Sequence, residues 1–236
     1  MLKQLVLLLL TITAFSACGS SDKNTAQTKP DTPAKKVAPI DSIRHSVVYP
    51  QEMSSPRQSA FDEYFVRIGD RNYYCGYKGK CEESDTLGGK RAFLFDLKAE
   101  YLIDRVFFYP SGGNYFVVWQ ETNHTGVYTN VALFEKGNSK PLWKKRFSDP
   151  DPGQIAVDSS VAYVTTLGMV CKMDIASGEV LWMKDSLFDP MKSRFKKFDK
   201  PIVYTNTVCF FDFPIRGRKN KRDTIKVNDQ SGNFAR

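Results

Sequence analysis

The 236-residue sequence predicts an all-β fold assembled from about four repeated units behind a polar leader, and two patterns carry that prediction. From Phe61 onward, apolar residues come in short runs rich in Tyr, Phe, Val and Ile, separated by Gly, Asn, Asp, Ser and Pro, which is strand and turn punctuation. A 3.6-residue periodicity is nowhere sustained, so helices are not expected. The runs also repeat. The second strands of successive hairpins begin at Tyr73, Tyr115, Val161 and Val208, spaced by 42, 46 and 47 residues, which is the length of a propeller blade. The expected architecture is a small or partial β-propeller of about four four-stranded repeats over 61–236, preceded by a disordered tether.

Each hairpin can be read directly. The first pairs Tyr64–Ile68 with Tyr73–Tyr77 across the turn Gly69–Asn72, and the second pairs Val106–Tyr109 with Tyr115–Trp119 across Pro110–Asn114. The third pairs Ile155–Val157 with Val161–Val164 across Asp158–Ser160, and the fourth pairs Ile202–Tyr204 with Val208–Phe211 across Thr205–Thr207. Third strands are expected at Ala92–Asp96, Val131–Glu135, Val170–Asp174 and Ile225–Asn228, with short fourth strands at Lys140–Trp143 and Gly178–Trp182 in the two central units. Aromatic residues at matching positions suit the packing of one sheet on the next.

The third unit resembles the PQQ-like repeat, with Asp174, Ser177-Gly178 and Trp182 in the order of that motif. The second unit keeps Glu135, Gly137 and Trp143. The fourth keeps Asn228, Ser231 and Gly232 but has Arg236 where Trp would stand, and the first keeps only Asp96. The resemblance implies a quinoprotein-type propeller, and such rings usually have six to eight blades. With four units, an incomplete ring would expose the faces of its first and last sheets. A compact ring, an open arc or self-association would each answer this.

Ahead of the repeats, one basic residue, Lys3, precedes an apolar run from Leu5 to Ala17 that ends in small residues before Cys18. The run falls short of the roughly 20 apolar residues a spanning helix needs and reads as an export signal over 1–17. Phe15-Ser16-Ala17-Cys18 resembles the lipobox of bacterial lipoproteins, which implies that Cys18 becomes the acylated N-terminus. Gly19, in place of the Asp of the retention pattern, points to the outer membrane. Residues 18–60 are polar and carry Pro30, Pro33, Pro39, Pro50 and Pro56, so they are expected to form an extended tether in which His45 is a solvated linker residue.

Four cysteines remain beyond Cys18. Cys75 and Cys81 flank a short Gly-containing loop and are the favoured disulfide. Cys171 and Cys209 lie in apolar runs, either as buried small hydrophobes or as a second pair. Neither pair has the spacing or the histidines of a zinc site. Between Lys192 and Arg222, ten basic residues stand against Asp199 and Asp212, a net of +8 that equals the formal charge of the whole chain. The candidate basic interaction patch comprises Lys192, Arg194, Lys196, Lys197, Arg216, Arg218, Lys219, Lys221 and Arg222, suited to anionic headgroups or an acidic partner. Export makes nucleic acid an unsuitable partner.

The residues argue against an enzyme. His124, in the loop Thr122–Thr125, is the one imidazole of the repeat region, and no phosphate-cradling loop, His-Glu-x-x-His or Gly-x-Ser-x-Gly occurs. The quinoprotein dehydrogenases that share the repeat need a longer chain, a cofactor-stacking cysteine pair and acidic calcium ligands, so no cofactor is expected and bound PQQ least of all. The reading is a non-catalytic, lipid-anchored envelope module for protein–protein interaction. It resembles in anchor and repeat the propeller lipoprotein of the outer-membrane β-barrel assembly machine, which has twice as many blades. The alternative is a small-ligand or glycan sensor with Tyr77, Trp119 and Tyr128 around an axis, and the third is an envelope enzyme of unknown reaction. Replacing Cys18 with Ala is expected to abolish labelling by a radioactive fatty acid and to move the protein from the membrane pellet to the soluble fraction.

Overall fold

Four antiparallel sheets follow one another along the chain, and each covers the next. The computed structural model describes residues 41–59, 62–190, 193–213 and 223–235, so Cys18 and the leader lie outside the described residues. A short strand β1 (Gln51–Glu52) comes first. The first sheet is β2 (Tyr64–Ile68), β3 (Arg71–Cys75), β4 (Lys80–Ser84) and β5 (Ala92–Asp96). The second contains β6 (Leu102–Ser111), β7 (Asn114–Asn123), β8 (Gly126–Glu135) and β9 (Pro141–Phe147), with β1 at its edge. The third is β10 (Ala156–Asp158), β11 (Val161–Thr166), β12 (Met169–Asp174) and β13 (Val180–Lys184). A two-stranded hairpin, β14 (Phe188–Asp189) and β15 (Arg194–Phe195), leads to the fourth sheet, β16 (Ile202–Val203), β17 (Thr207–Phe211) and β18 (Thr224–Asn228).

The repeats fall where the spacing put them, with one correction. The third strand of the first unit is Lys80–Ser84, and Ala92–Asp96 is its fourth. Lys80–Ser84 was missed because it is Lys-Cys-Glu-Glu-Ser, a polar run that becomes a strand only between two apolar neighbours. The fourth sheet is shorter by a strand, although a bridge from Val227 to Phe234 begins one.

Side chains alternate between faces with period two, and in the inner sheets both faces are apolar. On β7, Tyr115, Val117 and Trp119 pack against the first sheet's Tyr73, Phe95 and Cys81, while Phe116 and Val118 pack toward the third sheet's Ala162, Val164 and Met169. The third sheet's other face, with Ala156, Tyr163 and Val170, meets Val203, Val208 and Phe210 of the fourth. Full burial of an aromatic such as Phe95 or Trp119 contributes about 1.5–3 kcal/mol.

A second contact repeats from sheet to sheet. In the first three sheets a bulge interrupts the pairing of third and fourth strands, at Cys81/Glu82, Leu133/Phe134 and Lys172/Met173, and sets Phe95, Trp143 and Trp182 at equivalent positions. The two tryptophans each lie on the turn after the third strand of the following sheet. Trp143 Nε1 donates to Ile175 O at 2.9 Å and Trp182 Nε1 to Asp229 O at 2.8 Å. Gly178 (φ 73°) and Gly232 (φ 70°) lie under those rings, and a Cβ there would come within 2.5 and 2.6 Å of tryptophan atoms. Asp174 and Asn228 tighten the two turns by accepting from the backbone N–H and hydroxyl of Ser177 and Ser231 at 2.8–3.0 Å. Phe95 makes the shorter version, stacking on Phe134 at 4.4 Å. The Asp, Ser-Gly and Trp of the repeat are thus the two halves of an intersheet joint.

The expected tether over 18–60 is corrected over its described part, 41–59, while 18–40 lie outside the described residues. The described residues from Asp41 onward belong to the compact unit, and residues 43–54 form a strap across the first strand of every sheet. Ile43 bridges Tyr204, Val48 bridges Val157, Gln51 and Glu52 pair with Phe108 and Phe107, and Ser54 bridges Phe65, each antiparallel. Packed sheets lie about 10 Å apart, which extended chain covers in about three residues, so one segment can satisfy four edges in turn. Met53 and Pro50 are buried and His45 is exposed. Composition pointed the other way because the strap's bridges and the partners of Arg44 and Glu52 come from residues distant in sequence.

Arg44 holds the strap on the third and fourth sheets. Its guanidinium donates to Asp158 at 2.9 Å, Asp229 at 2.6 Å and Thr205 O at 2.6 Å. Asp229 also accepts from Tyr163 Oη at 2.7 Å and Lys172 Nζ at 2.8 Å. Burial alone would raise the Asp229 pKa, but hydrogen bonds from Lys172, Tyr163 and Arg44 outweigh it and hold the carboxyl below its ordinary range. Asp158 is held down against the same burial by Ser46 and Arg44. Depressed carboxylates contribute stability above their unfolded value of about 3.8, and that stability is lost as pH falls through the folded value. Arg44→Ala, which leaves two buried carboxylates short of a partner, is expected to cost about 3 kcal/mol in urea unfolding. The same substitution should flatten the loss of stability of the parent protein below about pH 4.

Candidate interaction surfaces

Because the strap is antiparallel to all four first strands, these run the same way, and the turns between second and third strands share one end of the stack. That end carries Gly76–Gly79, Asn123–Gly126, Leu167-Gly168, Asp212-Phe213 and Asp223, together with the linkers 97–101 and 148–155 and the described part of 185–201. Tyr77, His124 and the described basic residues Arg194, Lys196 and Lys197 therefore lie at one end. They do not converge on a reaction centre.

His124 is exposed and stands edge-on to Tyr101 at 4.6 Å. The three aromatic residues expected around an axis are separated. Trp119 is fully buried between the first two sheets, since its place on β7 turns it inward. Tyr77 leans on Tyr64 at 6.3 Å, and Tyr128 bonds Thr125 at 2.8 Å beneath the Arg146 guanidinium. An apolar run marks Trp119 as strand but does not say which face is covered.

A cavity of about 570 Å³ opens at the same end, lined by Glu52, Arg105, Asp151, Gln154, Lys197 and Phe213. Its charges neutralise one another. Arg105 binds Glu52 through two bonds of 2.6 and 2.7 Å and Asp151 at 3.1 Å, and Lys197 also pairs with Asp151. Burial disfavours the Arg105 cation, and Glu52 and Asp151 more than offset this. No group of three or more His, Cys, Asp or Glu side chains suited to a metal occurs among the described residues.

The basic patch is only partly described, because Lys192, Arg216, Arg218, Lys219, Lys221 and Arg222 lie outside the described residues. Its other members are committed to acids. Arg194 binds both oxygens of buried Asp212 at 3.1 Å, Lys196 pairs with Asp223 and Lys197 with Asp151. The sequence count missed Asp151 and Asp223 because both fall outside the window of basic residues. Within the described residues the first cluster holds Phe213, since Arg194 donates to Phe213 O at 2.9 Å and Lys197 O accepts from Phe213 N–H at 2.7 Å.

Cys75 and Cys81 are cross-strand neighbours, both buried, with sulfurs 2.9 Å apart and free as thiols. Burial, and then Cys75 itself, push the Cys81 thiol up. Cys171 faces the second sheet, where burial raises its thiol to about 12. Cys209 lies on the fourth sheet's outer face, so these two do not meet.

The two outer faces of the stack differ. On the first sheet, the Arg91 guanidinium lies 3.8 Å from the ring centre of Tyr74 and binds Glu63 at 2.6 Å and Glu82 at 3.6 Å, a polar cap. On the fourth, Ile43, Tyr49, Lys200, Ile202, Phe211 and Thr224 line an open apolar depression of about 860 Å³. Pairing of Ile202 with Cys209 and Phe211 with Thr224 repeats that of Ala156 with Tyr163 and Thr165 with Val170. In the third sheet those positions are fully buried, most of them beneath the fourth. No sequence signal marked this face, because it looks like every other strand.

No family model and no curated protein matches the sequence. Among solved structures, the crystal structure of BamB from Moraxella catarrhalis is similar over 68% of this chain and 44% of that chain, at 12% identity and a TM-score of 0.40. The chain thus spans less than half the length of that protein, and no functional conclusion rests on the likeness.

Proposed function

We propose that this chain is a non-catalytic, lipid-anchored module of the cell envelope that acts by binding another envelope protein. In this reading its four sheets are the blades of a small or partial β-propeller of PQQ-like type, held at the outer membrane through acylated Cys18. The observation that carries it is the apolar face of the fourth sheet, open among the described residues and of the kind the molecule buries between its own sheets. A sheet face of that character is completed by another protein surface. The recurring joint of Trp143 and Trp182 on the glycine turns supports the propeller reading. The ligand-sensor alternative loses its basis with Trp119 in the core.

The test is crosslinking and pull-down from membranes of the native host. A defined envelope protein is expected with the parent chain and with Leu102→Ser, an exposed control on the second sheet. It should be reduced roughly tenfold by Phe211→Asp, which places a charge in an apolar contact. Equal recovery with Phe211→Asp would reject this face.

We further propose that Cys75 and Cys81 close to a disulfide once the protein is exported. Mass spectrometry of protein isolated from the envelope without reductant should find the peptides of Cys75 and Cys81 joined, and two alkylated thiols instead would reject the bond.

A further inference from the structure

The turn that joins β7 to β8 stands apart from its equivalents. Cys75, Phe116 and Tyr163 each pair with the residue at the bulge of their sheet, Cys81, Leu133 and Lys172. Beyond that point β3 stops, β11 runs three residues further to Thr166, and β7 runs seven further to Asn123. The β7–β8 hairpin therefore outreaches the turn of the third sheet by about four residues, or about 13 Å of strand. Its tip, His124-Thr125, is exposed.

Asn123 closes this tip. It forms the last pair of the ladder with Gly126, and a two-residue hairpin loop of the favoured kind needs positive φ at its central residues. Neither His124 nor Thr125 has it. Asn123 Oδ1 holds the turn instead, accepting from Thr125 N–H at 2.9 Å, the Thr125 hydroxyl at 2.7 Å and Gly126 N–H at 3.1 Å. Tyr128 Oη, 2.8 Å from the Thr125 oxygen, donates to it while the threonine proton is directed at Asn123. All of this engages the oxygen of the side-chain amide. Nδ2 has no hydrogen-bond partner among the described residues and reaches the surface.

The stretch is Glu121-Thr122-Asn123-His124-Thr125, and Asn123 is the one Asn of the sequence followed two residues later by Ser or Thr. In an exported chain that spacing, without proline between, is an acceptor for an N-linked sugar. An amide nitrogen is a poor nucleophile because its lone pair is delocalised onto the oxygen. Three donors on Oδ1 favour negative charge there, which is the form whose nitrogen has lost a proton and can attack.

We propose that Asn123 is a glycosylation site of the exported protein. Nδ2 attacks the anomeric carbon of a sugar carried on a lipid-linked pyrophosphate, the carbon–nitrogen bond forming as the bond from that carbon to the phosphate oxygen breaks. The pyrophosphate leaves with the electron pair, and the nitrogen gives one proton to a base of the transferase. The projecting tip gives the folded protein room for the product. Only export is shared with the proposed function, and the site lies on the second sheet, so the two readings fail independently.

The experiment is mass spectrometry of the full chain purified from envelopes of the native host, read on the tryptic peptide 106–136. A sugar mass increment is expected, placed on Asn123 by fragmentation and absent from the chain made without residues 1–17. Asn123→Asp keeps the oxygen that holds the turn and removes Nδ2, so it should abolish the increment with the circular dichroism spectrum unchanged. Thr125→Ala should abolish it and Thr125→Ser retain it, which separates the hydroxyl from folding. An unmodified peptide from the envelope, an increment confined to Asn114 or Asn130, or one that survives Asn123→Asp would overturn the proposal. Recovery of the chain from the cytoplasm alone would overturn both this reading and the proposed function.

Discussion

A sheet with two apolar faces has to be covered twice, and this demand organises the molecule. Strand β7 alternates Tyr115, Val117 and Trp119 with Phe116 and Val118, so neither of its faces can meet water without large cost. The second sheet is therefore held between the first and the third, and the third between the second and the fourth. The stacking order along the chain follows, since each sheet is completed by the next one made. The aromatic side chain placed by each bulge sharpens the contact: the two tryptophans lie against turns whose glycines have no room for a Cβ and their N–H groups each find one carbonyl, and Phe95 stacks on Phe134. Hydrophobic burial supplies most of the energy of stacking, and the joint supplies its register.

Stacking leaves two kinds of surface unresolved, the edges of the first strands and the faces at the ends of the row. The strap resolves the edges. By pairing in turn with Tyr204, Val157, Phe107 and Phe65, it satisfies backbone groups that would otherwise invite another chain. Arg44 fastens it through two carboxylates of different sheets, so the clamp also links the third sheet to the fourth. At the ends the treatment is unequal. Arg91 with Glu63 and Glu82 lies over Tyr74 on the first sheet, the polar finish of a terminal repeat. The fourth sheet leaves Ile202 and Phe211 only half-buried among the described residues, and the proposed partner rests on this asymmetry.

The charged residues divide on the same principle. Those at the mouth near Arg105 and in the Arg44 clamp are matched cation to carboxylate, which organises loops and leaves little reactivity. The cations of 214–222 have no acid among them in sequence.

The sequence by itself determined the class of fold, the four hairpins, their spacing and the residues of the intersheet joint, because alternation, turn residues and repeat length are local properties that survive without neighbours. It also located Cys75 and Cys81 correctly as neighbours, since a short loop sets their separation. Tertiary structure alone decided the rest. The strap reads as a polar linker because Arg44 and Asp158, or Ile43 and Tyr204, meet only after the sheets have stacked. Lys80–Ser84 is a strand because two partners flank it, although its own propensity is poor. Trp119 and the basic residues 194–197 changed role from candidate site to core and ion pair, because burial and partner choice depend on which elements come to lie across from them. That information is distributed over residues more than a hundred positions apart, as the pairing of Arg44 with Asp158 and Asp229 shows.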